Sequence, residues 1–187
     1  MIDLITEAHR FQSFCRQNAW QFCFIGGLPV QHWGEPRLTR DVDVTVIAGF
    51  GNEEDFVTTV LKSYLPRRSD AREFALRNRV LLVQSESGIG IDISLGAIPF
   101  EIEMINRAVN FEFLRGIELL ICSPEDLIVM KSFAARVQDW QDVASVIVRQ
   151  GSETLDWRYI ESNLTPLAAL KEEPEILEHL HRLRRAN

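Results

Sequence analysis

Cysteine is scarce in this chain. Cys15, Cys23 and Cys122 are the only three, an odd number with no metal-ligand spacing. A disulfide framework and a thiolate zinc site are thereby excluded, and buried, inert thiols in a reducing cytoplasm are expected. Long apolar runs are missing as well. The longest uncharged stretch, residues 17–34, is broken by Gln, Asn, Gly-Gly and Pro and does not read as a membrane span. The first residues, Met1-Ile2-Asp3-Leu4, carry an acid where a signal peptide carries basic residues, so no export is expected. An excess of positive charge is absent too. Twenty Lys and Arg stand against 27 Asp and Glu, and the net charge of −7 argues against broad non-specific binding of nucleic acid. No internal repeat or low-complexity segment interrupts the 187 residues, whose 46% hydrophobic and 25% charged content suits one substantial core or a main domain with a helical appendage.

What is present divides into two styles of pattern. Residues 2–18 space Ile2, Ile5, Phe11, Phe14 and Cys15 as one face of a helix. Residues 20–25 are aromatic and apolar and run into Gly26-Gly27, as a buried strand runs into a tight turn. A short helix or turn over 28–33 and a basic loop, Arg37-Leu38-Thr39-Arg40, precede a strand over 41–48. A helix over 52–65 is expected to end at Pro66. Strands over 80–85 and 89–95 turn at Gly88, a helix follows over 98–108, and a second hairpin joins 110–114 to 117–122 around Arg115-Gly116. Ser123-Pro124-Glu125-Asp126 then supplies a capping serine, proline at the first helical position and acids in the first turn. Gly151, Pro166 and Pro174 divide the remainder into three or four helices.

The residues that carry chemistry gather around Asp41-Val42-Asp43, which follows Gly26-Gly27 after a spacer of thirteen residues. Side chains alternate along a strand, so Asp41, Asp43, Thr45 and Ile47 share one face and Val42, Val44 and Val46 the other. Asp92 interrupts the alternation of Ile89, Ile91 and Ile93 and faces away from them. An aspartate on a central strand is costly unless it is paired or binds a metal. If the two strands are neighbours, one face carries three carboxylates. Two of them suit magnesium, which prefers hard oxygen ligands and fills its shell with water and phosphate; the third suits a general base on an attacking hydroxyl. A glycine pair lets phosphates approach the backbone. The combination points to phosphoryl or nucleotidyl transfer. Clustered like charges repel, so replacing Asp41 or Asp43 with asparagine is expected to stabilise the metal-free protein slightly.

Asp41-Val42-Asp43-Val44-Thr45-Val46 also fits the first motif of the haloacid-dehalogenase-like phosphatases, whose first aspartate closes a hydrophobic strand. Here residues 35–40 are polar and the apolar strand follows the acids, which speaks against that reading. With its glycine pair, its spacer, its Asp-x-Asp and the strand-borne Asp92, the chain resembles the polymerase-beta-type nucleotidyltransferase superfamily. Downstream, Ser123-Pro124-Glu125-Asp126-Leu127-Ile128 with Lys131, Ala135, Arg136, Asp139 and Asp142 is similar to the helical half of the abortive-infection toxin nucleotidyltransferases of the AbiEii kind.

The resemblance implies an α/β protein of the α+β sort with the minimal nucleotidyltransferase fold: a mixed β-sheet flanked by helices in residues 1–122, and a helical C-terminal part in residues 123–187 that closes a nucleotide cleft. It implies that Gly26 and Gly27 offer backbone N–H groups to a nucleoside triphosphate, that Asp41 and Asp43 hold Mg2+ or Mn2+, and that Asp92 completes the catalytic and metal site. Lys131 would reach the phosphates as a point charge, its other reading being a solvated helix cation. The implied activity moves a nucleoside monophosphate to an acceptor hydroxyl on an RNA or transfer-RNA end or on a protein. On the toxin branch it adds a cytoplasmic setting and an antitoxin protein as partner. The alternative is a catalytically inactive nucleotide-binding or antitoxin-like interaction module, against which the retention of all three aspartates speaks.

The family's second glycine position is often serine, so Gly27 leaves only backbone contacts and further donors are needed. Arg37 and Arg40 beside the acids are candidates, Arg40 being assigned to the nucleotide. Arg67, Arg68, Arg72, Arg77 and Arg79 fall within thirteen residues and read as a solvated loop and helix face in preference to a nucleotide or RNA patch. Asp139 reads as the cap of a helix beginning near Trp140.

Overall fold

The computed structural model describes residues 1–186. In chain order these form α1 (Ile2–Gln17), β1 (Phe22–Ile25), α2 (Gly27–Trp33), β2 (Asp41–Ile47), α3 (Glu53–Leu61), β3 (Leu65–Pro66), α4 (Ala71–Asn78), β4 (Val80–Gln84), β5 (Gly90–Gly96), α5 (Pro99–Asn106), β6 (Val109–Leu114), β7 (Ile117–Ile121), α6 (Pro124–Ala134), α7 (Val137–Gln150), α8 (Trp157–Lys171) and α9 (Glu175–Ala186). They divide into two units. One comprises Met1–Leu28 and Leu38–Cys122, and the other Pro29–Arg37 with the chain from Ser123 on.

The first unit is a seven-stranded sheet in the order β3-β4-β5-β2-β1-β7-β6. β2 and β5 are parallel, as are β1 and β7, and the remaining neighbours are antiparallel, so the sheet is mixed. The central strands alternate as their sequences dictate. Val42, Val44 and Val46 of β2 and Ile91 and Ile93 of β5 are fully buried, while Asp41, Asp43 and Asp92 of the opposite face are partly exposed. α1 lies along β7 and buries Leu4, Ile5, Ala8, Phe11 and Cys15; Ile2, at one end of the expected apolar stripe, is instead exposed. Gln12 fixes the docking, donating to the Glu118 carbonyl at 2.8 Å and accepting from the Leu120 N–H at 2.9 Å. All three cysteines are buried.

Two expectations need correction. The helix after Asn52 stops at Leu61, and Leu65-Pro66 pairs with Gln84 and Val83 as the edge strand β3. Proline lacks the N–H of a ladder donor but is tolerated on a sheet edge, so Pro66 does not end a helix here and instead marks the outermost strand. Pro166 does not divide helices either: α8 runs through it from Trp157 to Lys171. Ile160 and Leu164 on one side of the proline and Ala168 on the other are buried along the same face, and that packing outweighs one missing hydrogen bond.

In the second unit the start of α6 is as the sequence indicates. Ser123 caps the helix, its hydroxyl accepting from the Asp126 N–H at 3.2 Å, with Pro124 at the first helical position. The buried Asp126 is satisfied further by Ser123 Oγ at 2.7 Å and by the Tyr159 hydroxyl of α8 at 2.6 Å. Asp139 sits inside the first turn of α7, not ahead of the helix, where its carboxylate accepts from the Arg136 N–H at 3.3 Å. No helix among the described residues is long and apolar enough to cross a membrane.

Candidate active site

Strand register brings the three aspartates to one end of the sheet. Asp41 and Asp43 open β2, and the parallel pairing sets Asp43 against Asp92 and Asp41 against Gly90. Paired residues on adjacent strands share a face, and neighbouring strands lie about 4.8 Å apart, so Asp43 and Asp92 project side by side. The acids thus begin their strand, the polarity that separates this motif from a phosphatase-type strand.

The glycines are there for space. β1 runs antiparallel to β2 with Ile25 opposite Asp43, so the turn that follows β1 lies beside the acids. Gly26 holds φ +66°, a left-handed conformation that residues with a Cβ adopt at a cost, and a Cβ there would overlap the Asp43 carboxylate. A Cβ on Gly27 would strike Thr39, and the Gly27 N–H points to Asp43 Oδ2 at 3.5 Å. Gly90 is a third such position: a Cβ on it would meet both the Asp41 carboxylate and the guanidinium of Arg67. The sequence signal for Gly90 was present, since a glycine within a strand marks a close approach, but it identifies no partner.

Arg67 is the residue that sequence reasoning placed elsewhere. Its backbone N–H donates to the Leu82 carbonyl of β4 at 3.1 Å, and Leu82 is the register partner of Asp92. From that anchor the guanidinium reaches across the Gly90 gap, donating to Asp92 Oδ1 and lying 3.5 Å from Asp41 Oδ1. The repulsion expected among bare carboxylates is therefore offset by an internal cation, and replacing Asp41 or Asp92 removes an attraction. In the rest of the arginine run Arg77 is exposed, as expected of a solvated face, while Arg68, Arg72 and Arg79 also make ion pairs. Arg68 binds Asp70 at 2.8 Å, Arg72 binds Glu54 at 3.1 Å, and Arg79 binds Glu53 and donates to the Leu95 and Gly49 carbonyls. Arg40 is exposed immediately before Asp41.

The donor set fits a magnesium or manganese ion in chemistry. Its members are hard carboxylate oxygens, part-exposed, with 48% of the Asp41 side chain and 35% of the Asp92 side chain open to solvent. Among the described residues no three acidic, imidazole or thiol groups are drawn together closely enough to enclose an ion by themselves. Magnesium does not require such a cage, because it binds through one or two carboxylates and takes its other ligands from phosphates and water.

Lys131 and Arg37 lie in the helical unit, each engaged by carboxylates there. The Lys131 ammonium is 2.9 Å from Asp139 Oδ1 and 2.8 Å from Asp142 Oδ2. Arg37 makes a two-pronged contact to Asp142, both arms at 2.7 Å, and Arg136 lies 2.6 Å from Asp139. Burial alone would raise the pKa of both aspartates. Hydrogen bonds from Arg136 and Lys131 to Asp139, and from Arg37 and Lys131 to Asp142, outweigh it and hold both carboxyls below their ordinary range. Lys131 is therefore neither a solvated cation nor a free one: it is the buried hub of this network.

No protein-family model matches the sequence, and no curated protein matches it. Solved structures do. An antigenic nucleotidyltransferase-like protein from Paracoccidioides brasiliensis aligns with a TM-score of 0.53 over 95% of this chain and 92% of its own, at 15% identity. The antibiotic-resistance factor ANT(2'')-Ia in solution aligns at 0.54 over 95% and 96%, also at 15% identity. The crystal structure of ANT(2'')-Ia with adenylyl-2''-tobramycin aligns at 0.55 over 89% and 98%, at 13% identity. The chain has the nucleotidyltransferase fold.

Proposed function

We propose that this protein is a divalent-metal-dependent nucleotidyltransferase that moves a nucleoside monophosphate from a nucleoside triphosphate to an acceptor hydroxyl. The observation that carries the reading is the meeting of Asp41, Asp43 and Asp92 at one sheet end, with Gly26, Gly27 and Gly90 shaped around them. Three part-exposed carboxylates on one face of adjacent strands make a cation site, which the Arg67 guanidinium occupies in this structure and whose hard oxygens suit a divalent ion. The likeness of fold to ANT(2'')-Ia supports the same class of chemistry.

In this reading Asp41 and Asp43 hold Mg2+ or Mn2+ together with triphosphate oxygens. An ion held there would supply charge neutralisation for the transfer. The backbone N–H groups of Gly26 and Gly27 and the Arg40 guanidinium orient the triphosphate. Asp92 takes the proton of the acceptor hydroxyl as its oxygen bonds to the α-phosphorus, and the bond to the β-phosphate oxygen breaks to release pyrophosphate.

The acceptor we infer from the abortive-infection resemblance is an RNA end or a protein side chain, in a toxin restrained by an antitoxin protein. A second reading is a small polyhydroxyl cation, favoured by fold likeness to a protein solved with an adenylylated aminoglycoside and by the net charge of −7. Incubation with each α-labelled triphosphate, Mg2+, and either total RNA, cell lysate or tobramycin separates these acceptors in one assay. Asp41→Asn and Asp43→Asn should each reduce label transfer by at least a hundredfold while leaving the far-ultraviolet spectrum unchanged. Full transfer by the double variant would refute the assignment.

A further inference from the structure

We propose that Arg67 exchanges partners during loading: it occupies the carboxylate site in the metal-free protein and passes to the triphosphate when the metal–nucleotide complex enters. This rests on the nucleotidyltransferase reading and adds to it a residue and a conformational step. Four features of the structure converge on Arg67. The guanidinium spans Asp92 and Asp41, one carboxylate assigned to the base and one to the metal, so neither can perform its part while it stays. It is paired to two of the three acids at once. Gly90 leaves open the space it crosses, since a Cβ there would strike Arg67 as well as Asp41. Its attachment is light: the side chain is 26% exposed, and the backbone departs from a two-residue edge strand.

The chemistry sets the direction of exchange. A divalent ion competes for Asp41, one of the two carboxylates that Arg67 holds, and brings phosphate oxygens with it. A guanidinium displaced from carboxylates finds in those oxygens an equivalent planar, two-point acceptor within reach of its own stem. Arg67 therefore opposes binding of the free metal and favours binding of the metal with a triphosphate. The two effects have opposite sign, which a merely structural arginine would not produce.

Calorimetry on the intact chain reads both, with Mn2+ alone and then with inorganic triphosphate in saturating Mn2+, a probe that needs no knowledge of the base. Arg67→Gln should bind Mn2+ roughly three- to tenfold more tightly than the wild type, the range expected on losing two part-exposed ion pairs, and should bind triphosphate more weakly by a similar factor. Arg67→Lys, which keeps the charge and loses the fork, should fall between. It also serves as the readout if the glutamine variant does not fold, as judged by its unfolding midpoint in EDTA. Equal Mn2+ affinity for wild type and variant, or both affinities moving the same way, overturns the exchange. If Asp41→Asn abolishes Mn2+ uptake while Arg67→Gln leaves it unchanged, the catalytic reading stands and the exchange falls. Absence of Mn2+ uptake by every form overturns both.

Discussion

Replacing Lys131 with methionine tests whether this cation holds the helical unit together or serves the phosphates. Its ammonium touches Asp139 and Asp142 at 2.9 and 2.8 Å, and the three side chains are 8%, 2% and 2% exposed. Methionine keeps most of the stem and removes the charge. Because both carboxylates contact one nitrogen, they lie no more than about 6 Å apart, and at an effective dielectric near 20 their bare repulsion is about 3 kcal/mol. Removing one partner of a buried ion pair costs about 3–5 kcal/mol in general. Arg37 and Arg136 remain on the two aspartates, which places this case at the lower end, about 3 kcal/mol. For a chain of this size that lowers the thermal midpoint by roughly 6–12 °C. Urea unfolding followed by circular dichroism at neutral pH measures the loss, and adding Asp142→Asn to Lys131→Met should recover part of it, since one of the two stranded charges is gone. A loss below about 1 kcal/mol, joined to weaker binding of inorganic triphosphate, would refute the structural reasoning and return Lys131 to the phosphates.

Two further outcomes follow from the geometry. Asp139 and Asp142 have folded-state pKa values below the ordinary carboxylate value, so the folded state binds fewer protons than the unfolded one. Their stabilisation is complete above about pH 4 and is lost as pH falls through the depressed values; urea midpoints between pH 2 and 7 should show this slope, flattened in Asp139→Asn/Asp142→Asn. Gly26→Ala should cost about 1–2 kcal/mol from the left-handed φ alone, plus a displaced Asp43, seen as a lower urea midpoint and weaker Mn2+ binding.

Much of the site was legible in the chain because strand periodicity is local. The alternation in Asp41-Val42-Asp43-Val44 settles which side chains share a face, and the polar lead-in before Asp41 settles which end of the strand carries the acids. Ser123-Pro124 likewise announces α6, because a cap is satisfied by residues three positions away. Pro66 and Pro166 were misleading for the same reason: whether a proline ends a helix depends on whether a sheet edge or a packed helix face is available to it. The segment Pro29–Arg37 groups with helices more than eighty residues later, and nothing local in Arg37 names Asp142 as its partner.

By itself, then, the sequence determined that two carboxylates open β2 on one face, that a glycine pair precedes them, and that Asp92 faces away from the apolar side of its own strand. Tertiary structure decided the charge balance around them. Arg67 and Arg68 are adjacent in one basic run, yet one pairs with Asp70 two residues on, and the other crosses a glycine gap to acids 25 and 26 residues away. Lys131 reads equally as a surface cation or a phosphate ligand until the folding of α6 against α7 supplies two carboxylates. Coulomb interaction falls with distance in space and not along the chain, so the identity of a charge is local information and its partner is not.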